Sequence, residues 1–128
     1  MNLLLWVLQV ALAIVNALHG WLYVTWSPAA EERMRRRRPG MKPLGLSPAF
    51  RIFIGVSELL AAIGLILPGA TGILLWLTPL AAAGFTIVMA GAVVFHLRRQ
   101  ETSSALASAV ICVLAVFVAY MRWRIVPL

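Results

Sequence analysis

Three residues of one apolar segment combine reactive types with a helical spacing: Arg51, Gly55 and Glu58. They lie at positions i, i+4 and i+7, so on a helix they share one face. Glu58 follows Pro48 by about ten residues, which places its carboxyl group roughly 15 Å along a helix that begins there. A carboxylate at that depth is costly and indicates a functional site facing the interior of a helix bundle. Glu58 is therefore the first candidate for acid–base chemistry.

Arg51 and two histidines are the candidate partners for this carboxylate. His19 lies near the end of the first apolar segment, with polar residues one turn on either side, and His96 ends the third segment. A glutamate beside a histidine, with an arginine nearby, can move a proton or orient a polar headgroup or a quinone-like ring. The sequence therefore predicts one shared polar pocket. Its predicted catalytic residues are Glu58, His96 and His19, and its predicted substrate-binding residues are Arg51, Tyr23, Asn16 and Ser108.

Structural roles and cofactor chemistry are the alternatives for these residues. Glu58 could be a protonated, hydrogen-bonded core residue, and Arg51 could extend to lipid phosphate. His19 could bond a neighbouring carbonyl, and His96 could be an interfacial side chain. Two histidines on different helices could also hold haem or a metal, but their depths differ by several residues. Haem is therefore less favoured than a quinone or lipid ligand, and we predict no metal site.

Composition places the chain in a membrane. It is 62% hydrophobic and 12% charged, whereas soluble domains are nearer half apolar and a quarter charged. The net charge of +7 is concentrated, with most basic residues between Arg33 and Arg51. Such clusters beside a bilayer surface follow the positive-inside rule and attract anionic lipid, so we expect no nucleic-acid partner. Cys112 is the single cysteine, which excludes an internal disulfide or dithiol pair.

Helix start and stop signals divide the chain into an all-α, four-helix membrane bundle. Ser-Pro pairs at 27–28 and 47–48 and Thr78-Pro79 are capping starts, and Pro68-Gly69 is a stop. Thr102 or Ser103 is the predicted cap of the last helix. A short surface helix reaching Arg38 is expected in the basic loop at 27–47. The chain forms one domain, 1–128, with predicted spans 3–26, 48–67, 73–97 and 102–122.

The basic residues also predict the orientation of the bundle. The loops after the first and third spans carry nearly all of them, while the other side carries only Arg122 and Arg124. The basic loops should therefore be cytoplasmic and both termini external, in a cytoplasmic (inner) membrane. Arg122, Trp123 and Arg124 are predicted to anchor the chain at the interface.

Small residues predict close helix packing in lipid. Gly84 and Gly91 are seven apart on the third span. The fourth span carries a longer stripe of small residues, namely Ser104, Ser108, Cys112, Ala115 and Ala119.

The spaced motifs of the chain resemble those of the DoxX-like family of small bacterial membrane proteins. They read Arg51-x3-Gly55-x2-Glu58-Leu-x2-Ala62-x-Gly64-Leu-x-Leu-Pro68, then Thr78-Pro79-Leu-Ala-Ala, then Met89-Ala-x-Ala92-Val-x-Phe-His96-x-Arg98-Arg99-x-Glu101. The resemblance implies a four-helix bundle in the cytoplasmic membrane. The family is named after a subunit linked to thiosulfate:quinone oxidoreduction, and relatives are often described as oxidoreductase partners. The matching positions are Arg51, Glu58 and His96. His19 is a candidate by a comparison of depth alone, because it is predicted to lie in the same cytoplasmic half of the bilayer as Glu58.

Three functions are compatible with these patterns. The first is a membrane oxidoreductase component or enzyme acting on a quinone-, isoprenoid- or lipid-like substrate. The second is a non-catalytic scaffold or assembly partner of another membrane protein, and a homo-oligomer is compatible with its small-residue faces. The third is a proton-coupled transporter, although four-helix exporters that use a membrane glutamate place it in the first helix.

Overall fold

The computed structural model describes all residues from 1 to 128, and every regular element in it is helical. Four helices are long and apolar enough to span a membrane. The predicted four-helix membrane bundle is therefore confirmed. The elements are α1 (Asn2–Val24), α2 (Pro28–Arg37), α3 (Pro48–Thr71), α4 (Leu77–Arg98), α5 (Thr102–Tyr120) and a terminal π-helix (Met121–Ile125).

Two of the predicted start signals act as caps. The Ser27 hydroxyl accepts a hydrogen bond from the backbone N–H of Ala30 at 3.2 Å, and Pro28 occupies the first turn of α2. The Ser47 hydroxyl accepts from the N–H of Phe50 at 3.3 Å at the start of α3. Each serine satisfies an N–H that the helix itself leaves unpaired, and proline loses nothing at that position. The short surface helix predicted in the basic loop is thus present as α2.

The ends of α1 and α3 and the start of α4 differ from the predicted bounds. α1 ends at Val24 rather than at residue 26. α3 continues past Pro68 and stops at Gly72, which has a φ of 73° and donates its N–H to the Pro68 carbonyl at 2.9 Å. A proline in the last turn removes only one bond of the helical ladder, so it did not end the helix. α4 begins at Leu77 rather than at residue 73, because the connecting turn places Leu74 at a φ of 52°.

Two predicted caps are wrong. Thr78 lies inside the first turn of α4, fully buried, and its hydroxyl has no partner. α5 begins at Thr102 with Glu101 in the capping position and no side-chain cap. The Glu101 carboxylate is instead hydrogen-bonded to His96 and Arg99 of the preceding helix end.

The bundle is built from two closely packed helix pairs, α1 with α3 and α4 with α5, which α3 and α4 join. The first pair meets at two glycines. A Cβ added to Gly20 would lie 2.7 Å from the carbonyl oxygen of Gly55, and one added to Gly55 would lie 2.8 Å from that of Gly20. Only glycine allows two helix backbones to approach this closely. This contact sets which side chains of α1 and α3 face each other.

The small residues of α4 and α5 divide between the interior and the outer surface. Ala115 of α5 is fully buried against the core, and the Cys112 thiol donates to the carbonyl of Thr86 on α4 at 3.6 Å. Gly84 and Gly91 of α4 have open space where a Cβ would stand, so they take no part in helix packing within this chain. They lie on the outward face of the bundle.

Candidate functional site

A histidine and a glutamate meet between α1 and α3. Nδ1 of His19 lies 2.8 Å from Oε2 and 2.9 Å from Oε1 of Glu58. The contact is a hydrogen bond in either protonation state: the imidazole N–H donates to a carboxylate, or a carboxylic O–H donates to Nδ1. Of the three candidate partners of Glu58, which are Arg51, His19 and His96, the structure places His19 against the carboxyl group. We refer to these two residues as the buried pair.

The Gly20–Gly55 contact positions the buried pair. Gly20 follows His19 directly, and Gly55 precedes Glu58 by one helical turn, so the closest approach of the backbones holds the two side chains within hydrogen-bonding reach. A hydrogen bond nearby also joins the two helices: the guanidinium of Arg51 donates to the carbonyl oxygen of Tyr23. Together these contacts fix α3 against the last turns of α1.

The two members of the buried pair differ in their access to the surroundings. The side chain of Glu58 is 1% exposed, whereas that of His19 is 42% exposed. Nδ1 makes both contacts of the imidazole with Glu58, which leaves Nε2 free of them. The Tyr23 ring lies 4.2 Å from the imidazole, centroid to centroid, and covers one side of it. The histidine thus connects an enclosed carboxyl group with the outside of the bundle.

His96 lies in a different cluster. Its Nδ1 is 2.6 Å from Oε2 of Glu101, and Nε of Arg99 donates to the other carboxylate oxygen at 2.9 Å. Arg99 also donates to the carbonyl oxygens of Pro43 at 2.6 Å and Leu44 at 3.3 Å. We call His96 and Glu101 the surface pair. The cluster fastens the loop before α3 to the α4–α5 turn.

The surface cluster perturbs its carboxyl group in a defined direction. Burial raises the pKa of Glu101, but hydrogen bonds from His96 and Arg99 and the positive charge of Arg99 outweigh it. The net result is a pKa below the ordinary value of 4.5. Opposite charge and hydrogen bonding to the ionised form both favour the carboxylate, so Glu101 is held ionised.

Two other predicted site residues are buried without joining the buried pair. Asn16 is fully buried on α1 and donates to the carbonyl of Leu12 at 2.8 Å, while its Oδ1 has no partner. Ser108 is buried on α5, which packs chiefly against α4 rather than α1. Asn16 therefore offers an unused acceptor one turn from His19, and Ser108 belongs to the other helix pair.

Sequence reasoning missed a network of hydrogen bonds around a buried arginine. The network lies at the end of the bundle where both chain termini are found. Arg122 is 2% exposed, and its Nε donates to Oε1 of Gln9 at 2.5 Å while Nη1 donates to Oδ1 of Asn2 at 2.7 Å. Gln9 in turn donates to the carbonyl of Leu65 at 2.7 Å. The prediction of Arg122 as an interfacial anchor is therefore wrong, whereas Trp123 is exposed as an anchor should be. Gln9, a polar side chain within a charge-free apolar segment, was the available signal.

Metal-ligating side chains are not clustered in this structure. No group of three or more histidine, cysteine or acidic side chains is placed to hold a metal ion. The two histidines contact different glutamates, Glu58 and Glu101. Each histidine therefore belongs to its own acid–base pair.

Comparison with known proteins gives one result. Neither the curated proteins nor the solved structures provide a match. The model of the DoxX-like family matches residues 7–118, a stretch that contains both histidines and both paired glutamates. With four apolar helices and this match over most of its length, the chain belongs to the DoxX-like family and is a multi-pass membrane protein.

Proposed function

We propose that the buried pair exchanges protons with a lipophilic substrate, and that the protein is a membrane enzyme or an oxidoreductase component that uses this exchange. One observation carries the proposal: His19 is 42% exposed on a membrane-spanning helix while the glutamate to which it is bonded is 1% exposed. Ionisable residues within membrane spans are expensive and mark functional sites. A proton taken up at the exposed imidazole has a direct route to the enclosed carboxylate.

The chemistry requires no electron transfer within the pair. A hydroxyl group of the substrate gives its proton to Nε2 of His19, and the proton on Nδ1 passes to the Glu58 carboxylate across the 2.8 Å contact. The reverse sequence returns the proton to the alkoxide or phenolate oxygen that the first step leaves. Quinols, prenols and glycerolipids carry such oxygens and reach the pair through the bilayer. In an oxidoreductase assembly, the electrons of a quinol would pass to a redox partner subunit.

Neighbouring residues are proposed to hold the polar end of the substrate. Tyr23 covers one side of the imidazole, and Arg51 supports Tyr23 from α3 by donating to its carbonyl oxygen. Asn16 provides an acceptor without a partner one turn from His19. We assign His96 a structural role, because Arg99 already compensates the charge of its glutamate.

Identification of bound molecules tests this proposal. The protein is purified in native membrane discs, and its lipophilic contents are identified by mass spectrometry for wild type, Glu58→Gln and Glu101→Gln. We expect wild type and Glu101→Gln to retain a molecule with a hydroxyl or carbonyl oxygen. Glu58→Gln should retain at least about tenfold less, which corresponds to one lost charge-assisted hydrogen bond. Equal retention in all three proteins, or bulk phospholipid alone in wild type, would contradict the proposal.

A second candidate function is supported by the outward face of α4. Gly84 and Gly91 expose backbone on that face, with nothing inside the chain to cover it, and such faces pack against other membrane helices. The protein would then be a non-catalytic partner in a membrane assembly. Gly91→Leu should in that case abolish co-isolation with the partner, and Glu58→Gln should lower protein abundance rather than ligand content. Under the first proposal, Gly91→Leu leaves the ligand content unchanged.

A further inference from the structure

A cavity of about 300 Å³ lies between the start of α2 and the start of α3, outside the buried pair. Charged side chains of both signs line it: Arg35, Arg51, Glu31 and Glu32. Trp26 forms part of its wall, at the position where α1 has just ended. The cavity therefore combines cationic, anionic and aromatic groups at one end of the membrane-spanning bundle.

The charges that line this cavity are incompletely paired with each other. Neither Arg35 nor Arg51 forms an ion pair, and Arg51 donates only to the neutral carbonyl of Tyr23. Glu32 is paired with Arg36 at 3.1 Å, whereas Glu31 accepts only the indole N–H of Trp26, also at 3.1 Å. Two arginines and one glutamate thus face the same cavity without a charged partner.

Pairing of Arg35 with Glu31 across one helical turn would be a weak alternative. Exposed ion pairs at this spacing contribute little to stability, because solvent screens both charges. A ligand with both charges can replace such a pair and use each side chain separately. Arginine recognises phosphate with two parallel hydrogen bonds, and an ammonium group is attracted by a carboxylate and by an indole face.

We propose that this cavity binds a phosphoethanolamine group, with the phosphate on Arg35 and Arg51 and the ammonium beside Glu31 and Trp26. The charge pattern favours this zwitterion over a simple anion, because a phosphate without an ammonium would leave Glu31 unpaired and close to a second negative charge. The group is available either as the headgroup of phosphatidylethanolamine or as the free phosphomonoester. The position at the end of the bundle admits both sources.

Native mass spectrometry of the full chain in detergent tests the site with named probes. The protein is titrated with phosphatidylethanolamine and with phosphatidylglycerol of the same acyl chains, and soluble phosphoethanolamine is added as competitor. Arg35→Gln should weaken binding of both lipids about tenfold. Glu31→Gln should weaken phosphatidylethanolamine alone by a similar factor, and should leave phosphatidylglycerol equal or tighter. Arg37→Gln removes the same charge outside the cavity and should change neither.

The outcomes separate the proposal from diffuse attraction of lipid to the basic helix. Equal weakening of lipid binding by Arg35→Gln and Arg37→Gln would overturn the proposal. Equal loss of both lipids in Glu31→Gln would also overturn it, and so would a wild-type protein without preference for phosphatidylethanolamine. Displacement of the lipid by soluble phosphoethanolamine identifies the free group as sufficient. Failure of that displacement, with the variant pattern intact, assigns the site to the lipid headgroup. The substituted side chains of α2 are partly or fully exposed, so folding of these variants is not at risk.

Discussion

The protein holds two histidine–glutamate pairs of the same chemistry in different settings. In each pair the histidine uses Nδ1, at 2.8 Å in the buried pair and 2.6 Å in the surface pair. Glu58 is enclosed and has His19 as its only ionisable partner, whereas Glu101 is 24% exposed and is also bonded to Arg99. The distances alone would rank the surface pair as the stronger.

The two pairs differ in the other groups that contact the carboxylate, and this difference separates their roles. Arg99 is permanently charged and holds Glu101 ionised whatever the state of His96. Glu58 has no such cation, and His19 is the one ionisable side chain bonded to it. The surface pair joins the loop before α3 to the α4–α5 turn, whereas proton exchange is proposed for the buried pair. The surface pair also provides a matched internal control.

Removal of each histidine should give the largest contrast between the pairs. His19→Ala leaves a carboxyl group enclosed without a partner, and we expect a loss of about 3 kcal/mol in the free energy of unfolding. His96→Ala should cost about 1 kcal/mol or less, because Glu101 keeps Arg99 and partial solvation. Unfolding in mixed detergent micelles measures both values.

A double substitution provides the control for this contrast. Glu58→Gln in the His19→Ala background removes the enclosed charge and should restore part of the lost stability, since a neutral amide is less costly to bury than an unpaired carboxylate. Equal losses for His19→Ala and His96→Ala would show that the two settings do not differ as described.

Disruption of the backbone contact beside the buried pair should have the next largest effect. A Cβ on Gly20 would lie 2.7 Å from the carbonyl of Gly55, so Gly20→Ala must separate α1 from α3. We expect a cost of about 1–3 kcal/mol from overpacking. Gly84→Ala is the matched control, because its Cβ would meet no atom within 4 Å. A neutral Gly20→Ala in the same unfolding assay would refute the assigned position of the pair.

The smallest of these effects on stability should come from lowering the pH, which acts on the surface pair. Because the pKa of Glu101 in the folded protein lies below its ordinary value of 4.5, its contribution to stability is present above that value and is lost as pH falls through the lowered pKa. Wild type should therefore lose more stability than Glu101→Gln when pH is lowered below 4.5. If stability falls with pH in parallel for the two proteins, the Glu101 carboxylate adds nothing to the stability of the fold.

The fold could be predicted from the sequence because its determinants are local. Apolar length defines the four spans, and the Ser-Pro pairs at 27–28 and 47–48 start α2 and α3 as expected. Helix ends were less accurate where two signals competed. Pro68 is a helix breaker in isolation, but Gly72 provides the better terminus four residues later, with its left-handed backbone.

The site was only partly predictable because depth along a helix does not define direction around it. The depth comparison correctly placed His19 near Glu58, but it also grouped His96 with them, whereas His96 bonds to Glu101 in the adjacent turn. Arg122 was misplaced for a related reason. The π-helical end of the chain changes the direction in which its side chains point around the helix axis. Hydropathy does not reveal that change.

Selective isotope labelling of histidine tests the central claim most directly, because the chain has only two histidines. Nitrogen resonances of both imidazoles are recorded in lipid nanodiscs before and after addition of decylubiquinol, farnesol or dioleoylglycerol, one hydroxyl compound of each proposed substrate class. We predict that at least one compound shifts the Nε2 resonance of His19 and leaves His96 unchanged, and that Glu58→Gln abolishes the shift. No response of His19 to any of the three, or equal responses of both histidines, would contradict proton exchange at the buried pair.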